Sequence, residues 1–244
     1  MADWNEPRPG TRSPFANATI NGDVIGAGAR DEGLRKYMLS IYNYMASGVL
    51  LSGVVALLFA SSEIGRQIMA SPLRWVIMLA PLGFVFAMNF NRSEATLKTM
   101  FWAFCVIMGM SLSTIFLVYT GTSIATTFFA TAGAFAGLSL YGYTTKRNLT
   151  AMGAFMMMGL IGIIIAMIAN FFLQSSGLAL AISALGVLIF AGLTAWDTQR
   201  LRDTYLQVAG TDMMGKVVII GALSLYLDFI NMFQFLLSFL GNRD

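Results

Sequence analysis

The sequence contains no histidine and a single cysteine, Cys105, among its 244 residues. The absence of histidine excludes imidazole-dependent catalysis and the usual side chain for proton switching near neutral pH. A lone cysteine can form no disulfide within the chain. The sequence also has no phosphate-binding glycine loop or Walker motif, so it does not encode ATP-driven transport. Proton chemistry near neutrality would therefore have to come from carboxyl groups in an unusual environment.

Charged residues are scarce, at 11% of the chain, whereas hydrophobic residues make up 57% and the mean hydropathy is +0.71. An ordinary soluble domain carries about a quarter charged residues. No charged residue occurs between Thr99 and Thr145 or between Asn148 and Trp196. Each of these runs is long enough for two crossings, since one membrane helix needs roughly 20 apolar residues. The chain is therefore predicted to be an all-α, polytopic membrane protein whose main partner is the lipid bilayer.

Seven apolar segments predict a seven-helix bundle over residues 37–244. Residues 1–36 contain several prolines and glycines but no apolar run of the kind found in signal peptides, and they are predicted to be a mobile cytoplasmic tail. Gly133 and Gly137 predict a face of close helix packing. The predicted spans are Tyr37–Ala60, Leu73–Phe90, Thr99–Tyr119, Ser123–Tyr143, Leu149–Phe172, Leu178–Asp197 and Lys216–Leu240.

The distribution of lysine and arginine predicts the orientation in the membrane. When the tail and the loops after spans two, four and six are assigned to one side, that side holds all but three of the 15 basic residues, the exceptions being Arg66, Arg74 and Arg243. Basic residues favour the cytoplasm, so the N-terminus is predicted to be cytoplasmic and the C-terminus to lie outside. The net charge of +3 does not indicate nucleic-acid binding, because the basic residues form no continuous face.

Two acidic residues, Asp197 and Asp228, lie inside apolar spans, where ionisable side chains are costly and face the bundle interior. They are equally distant in sequence from the centre of Gly210–Gly215, the turn between the last two spans. In an antiparallel hairpin both aspartates would therefore lie at one depth, about 23 Å from the turn. This arrangement requires the sixth helix to continue through residues 200–208 or to kink.

Helical spacing places further polar residues beside the two aspartates. Ser224 and Asn231 share a face with the second aspartate, and Thr194 shares a face with the first. Burial and a neighbouring like charge disfavour ionisation of both carboxyl groups, so the pair is expected to hold a shared proton that joins the two helices. Loss of that proton would leave two charges that repel each other and attract a cation. The alternative is a buried aspartate bonded to hydroxyls or to Arg200, which only stabilises the bundle.

The segments Gly192-Leu-Thr-Ala-Trp-Asp-Thr-Gln and Gly221-Ala-Leu-Ser-Leu-Tyr-Leu-Asp-Phe-Ile-Asn-Met-Phe resemble the transmembrane Bax inhibitor motif family, in its bacterial branch. With the pattern of spans, the resemblance covers roughly residues 35–242. It implies a bundle with the last helix central, a pH-sensitive calcium leak, and a pH sensor formed by Asp197 and Asp228. It also implies an arginine latch at the cytoplasmic end of the second helix, where Arg92 is the candidate. By its position alone, Arg92 is typical of an interfacial loop charge.

These observations predict an inner-membrane protein that is not an enzyme, that needs no cofactor, and that passes Ca²⁺ under the control of protons, with the two aspartates as transient Ca²⁺ contacts. Two alternatives remain open. The chain could be a non-conducting regulator that binds another membrane protein, such as a quality-control protease, through its tail. Two aspartates on adjacent spans are also the minimum for an intramembrane aspartyl protease, although the glycine-containing loop motif expected for substrate access is missing.

Overall fold

The computed structural model describes residues 14–89 and 91–242, with side chains from residue 30 onward. In this part of the chain, helices joined by short turns account for nearly all residues, which confirms the all-α fold. The helices are α1 (Pro14–Ser61), α2 (Glu63–Ala70), α3 (Leu73–Ala87), α4 (Glu94–Leu112), α5 (Ile115–Val118), α6 (Gly121–Thr144), α7 (Thr150–Leu173), α8 (Ser176–Val208) and α9 (Met214–Leu240).

Within the described part of the chain, six helical segments are long and apolar enough to cross a membrane: α1 from Arg30, α4 continued by α5, α6, α7, α8 and α9. A seventh crossing exists only if α2 and α3 form one span, and these two helices are bent by 94°. The bend lies at Ser71 and Pro72, where the Ser71 hydroxyl donates to the carbonyl of Ile68 (2.8 Å) and proline lacks a backbone N–H. Because α3 ends at Ala87, the second span is shorter than predicted, and Phe90 lies outside the described residues.

Two helices extend beyond their predicted spans. Helix α1 begins at Pro14, so no break near residue 36 separates the predicted tail from the first span. Residues 1–13 lie outside the described residues, and the mobility of the tail stays a prediction. Helix α8 continues past Asp197 to Val208, which confirms that the hairpin runs on as helix beyond the aspartate.

The third predicted span, Thr99–Tyr119, is interrupted. Helices α4 and α5 meet at Ser113 and Thr114, whose hydroxyls each donate to the carbonyl three residues earlier, at 2.7 and 3.2 Å. Side-chain bonds of this kind compete with the helical backbone pattern and bend helices.

The last helix, α9, lies at the centre of the bundle, as the family resemblance implied. It packs against α1, α4, α6 and α8. Residues Ile219, Ala222, Leu225 and Tyr226 are fully buried, and buried residues occur on every side of the helix. The other long helices present large apolar side chains at the surface, as expected for faces in contact with lipid.

Helix α9 also passes through the whole bundle. At its start, a Cβ on Gly215 would collide with the carboxylate of Glu94, the first residue of α4. At its far end, Thr120 donates its backbone N–H to the carbonyl of Asn242 (3.2 Å), and the N–H of Asn242 donates to Oγ of Ser123 (3.0 Å). These contacts lie at opposite ends of the α4–α5 segment, so the last helix does not turn back within the bundle.

Close helix packing occurs at a different glycine from those predicted. Among the described residues, no atom of another helix lies within 4 Å of the position that a Cβ would take on Gly133 or Gly137, so the close packing predicted for this face is not found within the bundle. On the same helix, Gly142 lies directly against the backbone of Ala195 in α8. The sequence shows where small residues recur, but it does not show which helix covers them.

Replacing Gly142 by alanine should lower the thermal stability of the protein in detergent, because the new methyl group would collide with the Ala195 carbonyl. Overpacking of this kind costs about 1–3 kcal/mol. Gly137→Ala is the matched control on the same helix, where the methyl group meets no atom. Alanine's higher helix propensity should leave the control unchanged or up to about 1 kcal/mol more stable. Equal melting temperatures of the two variants in a fluorescence thermal ramp would contradict the close approach of α6 and α8.

Candidate functional site

The two aspartates predicted from the sequence are buried on the last two long helices. Asp197 is 7% exposed on α8, and Asp228 is 5% exposed on α9. Both helices are continuous through these positions, and both are long and apolar enough to cross a membrane. Ionisable side chains at such positions are costly and commonly mark functional sites.

The two carboxyl groups are close enough for their charges to interact. The positive charge of Arg200 interacts electrostatically with both of them. Oδ1 of Asp197 and Oδ2 of Asp228 are fully buried and accept no hydrogen bond from any described residue. A buried acceptor without a donor costs about 1–3 kcal/mol, and more when it carries charge. Oδ2 of Asp228 is therefore a buried oxygen that a proton could stabilise, whereas Oδ1 of Asp197 has the Arg200 guanidinium beside it.

Arg200 lies one turn after Asp197 on α8 and contacts both helices of the site. Its Nη2 is 3.0 Å from Oδ1 of Asp197, in a salt bridge that lacks the alignment of a hydrogen bond. The same nitrogen donates to Oγ of Ser224 on α9 at 3.5 Å. The guanidinium also stacks on Trp196, 4.8 Å from the ring centre. Arg200 thus links α8 to α9 beside the two aspartates.

Arg92, the predicted latch, lies away from these contacts. It is exposed in the turn before α4 and takes part in none of the salt bridges among the described residues. Its role as a latch stays a prediction, whereas the arginine in contact with Asp197 is Arg200. Arg200 is the residue that the alternative of a purely stabilising aspartate named as a partner, and it lies three residues after Asp197 on the same helix.

The three predicted polar neighbours differ in what they contact. Ser224 accepts from Arg200 and so belongs to the link between the helices. Asn231 donates to the carbonyl of Leu227 (2.8 Å), one turn earlier on its own helix. The Thr194 hydroxyl donates in the same way to the carbonyl of Phe190 (2.7 Å).

Side chains next to Asp197 anchor α8 to the helices on its other side, and sequence reasoning missed them. Gln199 accepts from a backbone N–H and donates to a carbonyl at the α6–α7 connection, both at 2.8 Å. Arg202 donates to two carbonyls at the end of α6, at 2.7 and 3.2 Å. Trp196 fills the space left by Gly153 on α7, where a Cβ would overlap its ring. The segment of α8 that carries Asp197 is thereby fixed to α6 and α7.

The site can contact a cation but offers few ligands to hold one. The described residues contain no group of three or more His, Cys, Asp or Glu side chains suited to a metal ion. Ca²⁺ takes 6–8 oxygen ligands. Two carboxyl groups would supply only part of that shell.

The fold and the site together define a polytopic integral membrane protein with a pair of buried acids on its last two helices. Residues 34–244 match the family described as "Inhibitor of apoptosis-promoting Bax1". The chain belongs to this Bax inhibitor family, which confirms the resemblance carried by the motifs around Asp197 and Asp228. The match covers both helices of the site and leaves out most of the predicted tail.

Similar proteins occur in several bacteria. A protein of Rickettsia prowazekii described as uncharacterized is 50% identical over 218 residues, which cover 87% of this chain and 92% of the relative. A protein of Caulobacter vibrioides described in the same way is 47% identical over 231 residues, which cover 88% of this chain and 92% of the relative. The inner membrane protein YbhL of Escherichia coli is 42% identical over 218 residues, which cover 86% of this chain and 93% of the relative.

Replacing Arg200 by glutamine should destabilise the protein in detergent, because Asp197 would lose the positive charge that compensates it. The loss should be about 1 kcal/mol rather than the 3–5 kcal/mol of a fully buried pair, since nearly half of the Arg200 side chain is exposed. Adding Asp197→Asn to that variant should recover stability, because no uncompensated charge remains. Arg92→Gln is the matched control and should melt like the wild type. Equal destabilisation by the two arginine changes would contradict the assignment of Arg200 to the site.

Proposed function

We propose that this protein provides a leak pathway for Ca²⁺ that is controlled by the protonation of Asp197 and Asp228. The proposal depends chiefly on one observation, the two buried carboxyl groups on the last two long helices. Among the described residues, Oδ2 of Asp228 accepts no hydrogen bond, and Oδ1 of Asp197 is contacted only by Arg200 in a salt bridge. Membership of the Bax inhibitor family supports it, as does the absence of histidine, which makes these carboxyl groups the leading candidates for a proton switch.

The cation enters the proposal through the charge of the pair. When both carboxyl groups are ionised, Arg200 compensates one negative charge and leaves the other in surroundings of low dielectric. An uncompensated charge in such surroundings is strongly unfavourable, so a nearby cation stabilises it. Ca²⁺ prefers carboxylate oxygens and flexible coordination that water can complete. The pair would therefore attract Ca²⁺ without retaining it.

The direction of the pH dependence follows from the link through Arg200. Its salt bridge with Asp197 lies within α8 and requires an ionised carboxyl group, and the same guanidinium contacts Ser224 of α9, so protonation of Asp197 removes one support of the contact between the two helices. We therefore expect the leak to increase as the pH falls. If repulsion after loss of a shared proton separated the helices instead, the leak would increase as the pH rises. The sign of the measured dependence distinguishes the two mechanisms.

The proposed location is the bacterial inner membrane, with the N-terminus in the cytoplasm. The similarity to YbhL, an inner membrane protein, supports the proposed location in the inner membrane. The distribution of basic residues supports a cytoplasmic N-terminus. The contacts of α9 with opposite ends of the bundle agree with a last helix that crosses completely.

A fluorescent protein that matures only in the cytoplasm should be dark when it is fused after the C-terminal residue, Asp244. The reason is that an odd number of crossings carries the C-terminus to the outside. The same reporter fused at the N-terminus is the control and should be bright. Bright signal from both fusions, at equal amounts of membrane-inserted protein, would indicate an even number of crossings and contradict the seven-span prediction.

Purified protein in liposomes loaded with a calcium dye should admit Ca²⁺ at a rate that depends on pH. Asp197→Asn and Asp228→Asn should each flatten the pH profile, because the titrating pair no longer exists. Asp212→Asn, at an exposed position in the turn before α9, is the matched control and should keep the wild-type profile. Unchanged flux in both site variants would contradict the mechanism. Absence of flux from folded wild-type protein would favour the non-conducting regulator.

A further inference from the structure

A cavity of about 890 Å³ lies between α1 and α6, apart from the two aspartates. Its volume is within the range of about 300–1,000 Å³ that is usual for small-molecule sites. The buried side chains of Met38, Met45 and Phe135 contribute to its walls, and most of the lining is apolar. The two helices that border it do not pack closely against each other along this face.

The shape of the cavity suits a long, thin ligand. Its lining residues on α1 run from Asp31 to Ala46. At 1.5 Å per residue these positions span about 22 Å. That length is about half of the 40–45 Å thickness of a bilayer with its headgroups, so the cavity extends over the depth of one lipid leaflet.

The end of the cavity that lies before Tyr37, where the first predicted span begins, carries two opposite charges, those of Asp31 and Arg35. They are one helical turn apart, a spacing at which such residues often pair. The neighbouring residues Glu32 and Lys36, at the same spacing, form a salt bridge of 2.7 Å. Asp31 and Arg35 take part in no salt bridge among the described residues. Both charges are therefore available to a ligand.

We propose that the cavity binds one phospholipid whose headgroup carries a primary ammonium, as in phosphatidylethanolamine. The phosphate faces Arg35, whose planar guanidinium suits phosphate oxygens, and the ammonium faces Asp31. One acyl chain lies in the apolar part between α1 and α6. A headgroup with both charges complements this pair, whereas an anionic lipid would satisfy Arg35 and be repelled by Asp31.

The cavity wall is connected to the aspartate site through a single polar contact. Ser139 on α6 lines the cavity, and its Oγ accepts from the hydroxyl of Thr198 on α8 at 3.5 Å. Thr198 is the residue after Asp197. A lipid in this cavity would therefore contact the same part of α6 that supports the buried aspartate.

Native mass spectrometry of the full chain in detergent tests the proposal with dioleoyl lipids bearing ethanolamine, choline or glycerol headgroups. The wild type should bind one phosphatidylethanolamine molecule at least about fivefold more tightly than either other lipid. Asp31→Asn and Arg35→Gln should each weaken that binding about two- to fivefold, as loss of one partly exposed ion pair implies. Glu32→Gln and Lys36→Gln are the matched controls, since they change the same helix outside the cavity lining.

A second pair of variants tests whether the acyl chain occupies the cavity. Ala136→Trp, within the lining, should remove the complex with one bound lipid, and Ala134→Trp, exposed on α6 outside the lining, should retain it. Both should elute and melt as folded protein. Equal binding of the three lipids, preference for the glycerol headgroup, unchanged binding in Asp31→Asn and Arg35→Gln, or full binding by folded Ala136→Trp would each overturn the proposal.

Discussion

The burial of Asp228 on α9 is the constraint on which the rest of the bundle depends. A carboxyl group in the middle of a membrane helix is stable only where protein, rather than hydrocarbon, surrounds it. Helix α9 meets this requirement because α1, α4, α6 and α8 enclose it on all sides. The central position of the last helix and the burial of its acid are therefore one feature.

The parts of this arrangement that follow from local spacing could be predicted from the sequence. Charge-free runs located most of the spans, because each span must satisfy the same length and polarity requirement by itself. The equal distance of the two aspartates from one turn required α8 either to continue beyond the membrane segment or to kink, and α8 runs on as helix to Val208. Helical periodicity also placed Ser224 on the aspartate face of α9, and the structure brings Ser224 to Arg200.

The parts that depend on contacts between distant segments could not be predicted. The position of Arg92 outside the site depends on where the turn before α4 lies relative to α8, which no spacing along the chain defines, whereas the contact of Arg200 with Asp197 is local to one helix. The close approach at Gly142 rather than at Gly133 or Gly137 depends likewise on which side of α6 is covered by α8. The interruption between α4 and α5 has a local cause, because the hydroxyls of the adjacent residues Ser113 and Thr114 donate hydrogen bonds to backbone carbonyls of the preceding turn. Such residues also occur inside uninterrupted membrane helices, however, so their presence alone does not predict a break.

Polar contacts also anchor the two helices of the site to different parts of the bundle. On one side, α8 is fixed to α6 and to the α6–α7 connection through Gln199 and Arg202. On the other side, the Tyr226 hydroxyl, two residues before Asp228, lies 2.6 Å from Oγ of Ser52 on α1.

Ser52 also donates to the carbonyl of Cys105 on α4, at 2.7 Å. Serine has one hydroxyl proton, so Tyr226 must be the donor in their contact, and the three helices α1, α4 and α9 are joined in one polar cluster. Asp197 thus belongs to a group anchored toward α6 and α7, and Asp228 to a group anchored toward α1 and α4. A change in charge at the pair acts across the boundary between these groups. The anchors belong to residues near the aspartates rather than to the carboxyl groups themselves, so a change in charge at the pair would act between one helix tied to α6 and α7 and another tied to α1 and α4.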